Sequence, residues 1–373
     1  MTTCRIPALV LSVFVGQVGL VSIATAQVKS QAKISALSGG FDALNDNERF
    51  GAGVTSIGDL DGDGITDIAA SAYLGGYTNN YPNPDIYYGE LYTMFLNADG
   101  SVKSYVKIGN GMGGFTGTID PYDEFGISVV SIGDLDNDGV VDLAVGARLD
   151  DDGAAGNNTG TDRGAVWILF LNANGTVKAQ QKISQFVGGF TGVLDDGDWF
   201  GAFVTAIGDL DLDGTEDLVV GAPFDDDGAA DQGAFYVLFL NPNGTVKATQ
   251  KVSATAGGFT GDLDLGDRFG TGPGNIGDVD VDGVIDLAVG ALSDDDGGTD
   301  FGAVWIVYMN TNGTVKGQSK ISTTTGGFTG ALNTACGFGS ACALVQVGDV
   351  ITRIAVTAKT DDDGGLNRGA LWL

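Results

Sequence analysis

No histidine occurs anywhere in the 373 residues. That absence removes Ser-His-Asp and Cys-His nucleophile pairs, histidine general bases and histidine-ligated zinc. Catalysis, if any, would fall to carboxylates, Lys, Arg, Tyr or a bound metal. Positive charge is also scarce, with 18 Lys+Arg against 48 Asp+Glu and a formal charge of -30. Such a chain repels phosphate backbones and anionic bilayers, so nucleic acid and membrane surfaces are poor partners and metal cations are good ones. Cysteine is nearly missing: Cys4 stands close to the N-terminus, and Cys336 and Cys342 remain either to bridge or to sit as two small buried thiols. Beyond the first segment no run reaches the roughly 18 apolar residues that a membrane span needs.

That first segment, MTTCRIPALVLSVFVGQVGLVSIATA, has one early cation at Arg5, an apolar middle, and small residues at Ala24 and Ala26. It reads as a secretory signal over residues 1–26, which leaves a domain over 27–373 in an export compartment that permits disulfides. The domain is a repeat. A Phe-Gly pair stands at Phe50, Phe125, Phe200, Phe269 and Phe338, spaced 75, 75, 69 and 69 residues apart. Each pair leads into an apolar run, Gly-Asp, an acidic loop, LAVGA or a relative of it, and then usually DDDG. A strand such as GAVWILFLN, a turn such as NANG, TVKAQQKIS and a GGFTG linker complete the unit.

Four short runs per unit, rich in β-branched and aromatic residues and bounded by Gly, Asn and Asp, predict four strands. No window shows a sustained helical period, and 62 glycines would penalise helices. Four-stranded units repeated in a ring make an all-β propeller; a stacked solenoid fits less well, because its coils repeat at shorter periods. The segment Val28 to Ser35, VKSQAKIS, matches Val177 to Ser184, the fourth strand of a unit. It is expected to add the outer strand to the last blade and close a ring of five. The stop at Leu373, inside the third strand of unit five, also suits a chain that continues.

The acidic loops all read D-x-D-x-D-G-x-x-D. They place Asp59, Asp61, Asp63 and Asp67 in unit one, Asp134, Asp136, Asp138 and Asp142 in unit two, Asp209, Asp211, Asp213 and Asp217 in unit three, and Asp278, Asp280, Asp282 and Asp286 in unit four. Two charges 4 Å apart repel by about 1 kcal/mol in water and about 4 kcal/mol near a protein surface, so four carboxylates in nine residues call for dispersal or a cation. Oxygens at positions 1, 3, 5 and 9, a glycine at 6 and a backbone carbonyl at 7, from Ile65, Val140, Thr215 or Val284, suit Ca²⁺ better than the stricter Mg²⁺ octahedron. Position 12 is Ala70, Val145, Val220 or Val289 rather than Glu, and a strand follows, so the loop is not an EF-hand. Ordinary acidic turns would not explain the fourth aspartate, repeated in register at the head of each strand. Unit five has GDVITRIAV at this place, with Arg353 where the last aspartate would stand. Four Ca²⁺ ions are therefore expected in blades one to four and none in blade five.

With Phe-Gly, the GDLDxDGxxDL loop and Gly221-Ala222-Pro223, the chain resembles FG-GAP repeat proteins: the integrin α-chain propeller and secreted bacterial relatives. The resemblance implies calcium in the loop between first and second strands, a use in adhesion or ligand binding, and a seven-bladed ring if the chain is incomplete. The leading expectation is a secreted, non-enzymatic binding module with a protein or polysaccharide ligand at the cell surface or matrix. A carbohydrate-active lyase or hydrolase using carboxylates and calcium is the alternative, although one active site should break the symmetry that the acidic loops keep.

Smaller features are read as follows. The DDDG clusters from Asp150, Asp225, Asp294 and Asp361 could hold further cations, but three adjacent carboxylates do not easily face one ion, so solvated turns are expected. Asn174-Gly, Asn243-Gly and Asn312-Gly are hairpin turns with two positive φ angles rather than glycosylation sites. Trp167, Trp305 and Trp372 share one position on the third strand and pack between blades. Trp199 and Arg268, just before their Phe-Gly pairs, are candidates for contacts on the ring face. The stretch Tyr73 to Glu90, with five tyrosines, is the first place to look for a ligand.

Overall fold

The second and third apolar runs of blades one to four form strands buried on both faces, whereas the fourth runs of blades one to three form outer strands with exposed residues between buried ends. The computed structural model describes residues 30–76, 78–80, 83–151, 161–347, 350–363 and 365–373 and contains no helix among them. The expected leader, 1–26, lies outside the described residues. Blade one holds β1 (Phe50–Gly58), β2 (Asp67–Ala72), a small hairpin of β3 (Thr78–Asn80) and β4 (Asn83–Ile86), β5 (Glu90–Leu96) and β6 (Val102–Ile108). Blade two holds β7 (Phe125–Ser131), β8 (Leu143–Ala147), β9 (Ala165–Leu171) and β10 (Val177–Ile183). Blade three holds β11 (Phe203–Ala206), β12 (Leu218–Ala222), β13 (Ala234–Leu240) and β14 (Val246–Val252). Blade four holds β15 (Phe269–Gly277), β16 (Asp286–Ala291), β17 (Ala303–Met309) and β18 (Val315–Ile321). Blade five holds β19 (Phe338–Val347), β20 (Val350–Ala358) and β21 (Ala370–Trp372). All pairs are antiparallel meanders, and the whole is a five-bladed β-propeller.

The core is a series of layers between blades. On β9, Val166, Ile168 and Phe170 face blade three, whereas Trp167, Leu169 and Leu171 face blade one. On β13 the same period of two sends Tyr236, Leu238 and Leu240 towards blade two and Phe235, Val237 and Phe239 towards blade four. At about 1.5–3 kcal/mol for each fully buried large apolar side chain, these layers dominate the stability of the fold. Trp167, Trp305 and Trp372 pack as expected, each edge-on to a linker phenylalanine: Phe115 at 5.0 Å, Phe259 at 5.0 Å and Phe328 at 5.1 Å between centroids.

The glycines of the repeat set how closely blades approach. A Cβ on Gly221 of β12 would lie 2.2 Å from the Gly270 carbonyl oxygen in blade four. One on Gly270 would lie 2.0 Å from the Ala234 carbonyl oxygen, at a φ of 91° that L residues rarely adopt. The Phe-Gly of one blade thus rests backbone to backbone on the Gly-Ala of the one before.

Two expectations need correction. The hairpin turns carry one positive φ, at Gly175, Gly244 and Gly313, not two. Asn174 Oδ1 accepts from the Thr176 N–H at 3.1 Å, which holds the asparagine in an ordinary conformation and leaves the glycine to form a bulge, seen as a register shift after Val177. The closing strand is also absent among the described residues: β21 is the free edge of a three-stranded sheet. The part of VKSQAKIS that is described, from Ser30, forms no strand, and Ile34 and Phe41 pack on blade one. Apolar layers join blades one to two, two to three, three to four and four to five, and among the described residues none joins five to one. Val54 of β1 is 63% exposed, and a largely apolar groove of about 420 Å³ runs beside β21 past Ile306, Phe328, Ile354 and Trp372. Cys336 and Cys342 are both free and buried, the former donating to the Phe301 carbonyl at 3.1 Å.

Candidate metal centres

Each acidic loop joins the first strand of a blade to the second, and the hydrogen bonds repeat four times. Position 1 accepts twice: Asp134 takes the N–H of Asp138 at 2.9 Å and of Gly139 at 2.7 Å, as Asp59, Asp209 and Asp278 do in their loops. Position 5 accepts from the N–H of position 7, so Asp63, Asp138, Asp213 and Asp282 bind Ile65, Val140, Thr215 and Val284. Position 9 pins the loop to the blade. Asp142 accepts from Leu135 and from Leu171 at the end of the third strand, both at 3.0 Å, and Asp67, Asp217 and Asp286 repeat this. Burial pushes Asp142 up to about 6 and Asp217 up to about 7, and raises Asp286.

These bonds turn the carboxylates inward. Ligand oxygens of Asp59, Asp61 and Asp67 lie within 4.8 Å of one another, as do those of Asp134, Asp136 and Asp142, and of Asp209, Asp211 and Asp217. In the fourth loop the converging set is Asp278, Asp280 and Asp282. Three clustered carboxylates fit a hard divalent cation. Position 4 supports the geometry: Gly62, Asn137, Leu212 and Val281 all have positive φ, although Val281 is β-branched and 85% exposed. Such a conformation persists where the surroundings impose it. In blade five, β19 and β20 are joined through residues 348 and 349, outside the described residues, and no acidic cluster occurs there among those described.

The sequence reading missed a lysine. Lys103, Lys178, Lys247 and Lys316, each the second residue of an outer strand, reach back to positions 3 and 5: Lys178 lies 2.8 Å from Asp136 and bonds Asp138. Lysine bonding lowers the pKa of Asp63, Asp138, Asp213 and Asp282. A single ammonium answers two carboxylates and would compete with an incoming ion. Lys178→Gln should therefore raise the calcium affinity of the second loop by up to about tenfold, about 1.4 kcal/mol, measured by titration calorimetry on a chain in which the other three loops carry Asp→Asn at position 1.

The DDDG reading also needs correction, because their first aspartates are buried rather than solvated. Asp150, Asp225 and Asp294 pair with Lys182, Lys251 and Lys320 at 2.7, 2.8 and 2.6 Å, beneath Trp167, Tyr236 and Trp305. A second buried acid sits by each pair: Asp123, Asp198 and Asp267. Desolvation first, and then the charge of its neighbour, pushes Asp198 up to about 8 and Asp267 up to about 7, and raises Asp123. An acid whose pKa is raised by folding stabilises the fold at low pH and gives that up as the pH climbs through the folded value. With calcium saturating, stability should fall by on the order of 2 kcal/mol between pH 6 and pH 9, read from urea midpoints, and Asp267→Asn should flatten the fall.

In the tyrosine-rich loop, Tyr73 accepts from Arg49 at 3.0 Å, Tyr87 packs edge-on to Tyr122 at 5.2 Å, and Tyr88 packs into the layer between blades one and two. Residues 77, 81 and 82 lie outside those described.

An FG-GAP repeat model matches residues 200–238, the Phe-Gly pair, acidic loop and second strand of blade three. Integrin alpha pat-2 of Caenorhabditis briggsae is 30% identical over 247 residues, 64% of this chain. The chain carries an FG-GAP repeat and is similar to integrin alpha chains. The chain is also similar to human integrin alpha-11, at 35% identity over 174 residues, 45% of the chain. It spans 17% of the nematode protein and 12% of the human one. Among solved structures, an exotype rhamnogalacturonan lyase, YesX, covers 85% of the propeller at 15% identity with a TM-score of 0.40, the chain covering 55% of that structure. A likeness at that level bears on neither reaction nor substrate. No helix among the described residues is long and apolar enough to cross a membrane.

Proposed function

We propose that the chain is a secreted, calcium-stabilised binding module, without catalytic activity, whose propeller presents a rigid face to a protein ligand in the extracellular matrix or at the cell surface. The observation that carries this is the fourfold loop: the same hydrogen bonds and the same place in each blade, with three carboxylates converging in every loop, from positions 1, 3 and 9 in the first three and from positions 1, 3 and 5 in the fourth. A site repeated so evenly supports a scaffold, because chemistry on one substrate needs one distinctive cluster. The ligands are the aspartates at positions 1, 3, 5 and 9 with the carbonyls of Ile65, Val140, Thr215 and Val284, four Ca²⁺ in all. The named integrin relatives support adhesion as the use of such a face. Immobilised matrix proteins should retain the purified chain in 1 mM calcium and release it in EGTA; retention indifferent to calcium would count against the proposal.

A further inference from the structure

The acidic loops are alike in four units, so a site particular to this chain must lie where the units differ. Two positions differ most. One is the residue before each Phe-Gly: Arg49, Glu124, Trp199, Arg268 and Gly337, all with φ between 53° and 64°. The other follows each second strand: Tyr73, Arg148, Pro223, Leu292 and Lys359. Arg148, Trp199, Phe224, Arg268 and Lys359, from four blades, meet around one pocket of about 240 Å³.

Three cations line this pocket in a protein of charge -30. Arg148 is answered by Glu124 at 2.7 Å and feels Asp162. Arg268 has no carboxylate partner among the described residues; it stacks on Phe224 at 4.8 Å, and its Nε is buried without an acceptor. Lys359 has none either; desolvation first, and then the charges of Arg268 and Arg148, lower its pKa. Like charges held together in a concavity cost free energy that an anion would return. Their attraction would act at short range, since the net charge of the chain is screened beyond about 8 Å at physiological salt.

We propose that this pocket binds a carboxylate presented by an acidic segment of a protein ligand. The proposal rests on the binding-module reading and gives it a place. Arg268 supplies a guanidinium that lines the pocket without a carboxylate partner among the described residues, Lys359 closes over the anion from blade five, and Trp199 and Phe224, 4.2 Å apart, form the apolar wall. A sugar acid fits less well: Arg148 covers Trp199 at 4.5 Å and Arg268 covers Phe224, so guanidinium groups occupy the aromatic faces on which a sugar ring would stack.

The probe is a biotinylated Gly-Ser-Asp-Ser-Gly peptide on a streptavidin sensor, with its Asn isostere and oligogalacturonate as comparisons, at 1 mM calcium. The Asp peptide should bind at least tenfold more tightly than the Asn peptide. Arg268→Gln and Lys359→Gln should each lose at least tenfold, while Arg353→Gln, outside the pocket, should change nothing. Lys359 is exposed, so its variant tests the site even if Arg268→Gln does not fold. Equal binding of the two peptides, or full affinity in Lys359→Gln, would overturn the proposal, as would oligogalacturonate displacing the Asp peptide. Melting the same samples with and without EGTA separates the two readings: absent peptide binding with an intact calcium effect defeats the pocket and leaves the module standing.

Discussion

Moving the calcium-loaded protein into excess EGTA should lower its melting temperature by roughly 10 °C. Ligand that binds only the folded chain adds RT ln(1 + [L]/Kd), about 1.4 kcal/mol per site at free calcium ten times Kd, so four sites give about 6 kcal/mol. A chain this long shifts by roughly 2 °C per kcal/mol. Without the ion, each loop keeps its backbone hydrogen bonds and a lysine across positions 3 and 5, so the folded state should survive at 25 °C but open more easily. Asp142→Asn should imitate part of the loss, because Asp142 both faces the cluster and ties the loop to β9. A melting curve indifferent to EGTA would contradict the role given to calcium.

Gly221→Ala should destabilise the chain by on the order of 4 kcal/mol, a large effect for one methyl group. The added Cβ would meet the Gly270 carbonyl oxygen at 2.2 Å, and backbone on both sides prevents either from yielding. Ordinary overpacking costs about 1–3 kcal/mol, and here a whole blade interface must shift. Gly283→Ala is the contrast: its φ is 88°, yet open space surrounds it. It should cost only about 1–2 kcal/mol, from backbone conformation alone. Urea midpoints for the two variants decide whether these glycines are kept for approach or for conformational freedom. Equal losses would contradict the account of the blade interfaces.

Much of this was legible in the sequence because it is local. Strand period, the nine-residue loop and the loss of that loop around Arg353 all lie within a short window, and self-similarity supplied the register. What escaped is long-range. Lys178 meets Asp138 across 40 residues, and nothing in TVKAQQ says which way its lysine turns until blade two is assembled. The first aspartate of DDDG resembles a solvated turn until Lys251 and Tyr236 cover Asp225. The strand expected to close the ring matched in sequence, but pairing needs the two ends brought together, and among the described residues the blade layers run from one to five without that contact. Trp199 and Arg268 stood out only as departures from the repeat; their pocket needs residues from four blades.

The most direct test of the central claim is the number of calcium ions bound, measured by equilibrium dialysis of the purified chain at saturating calcium. The account requires four per chain, falling to three when Asp134 is changed to Asn and staying at four when Arg353 is changed to Gln. No bound calcium, or a fifth ion, would contradict it.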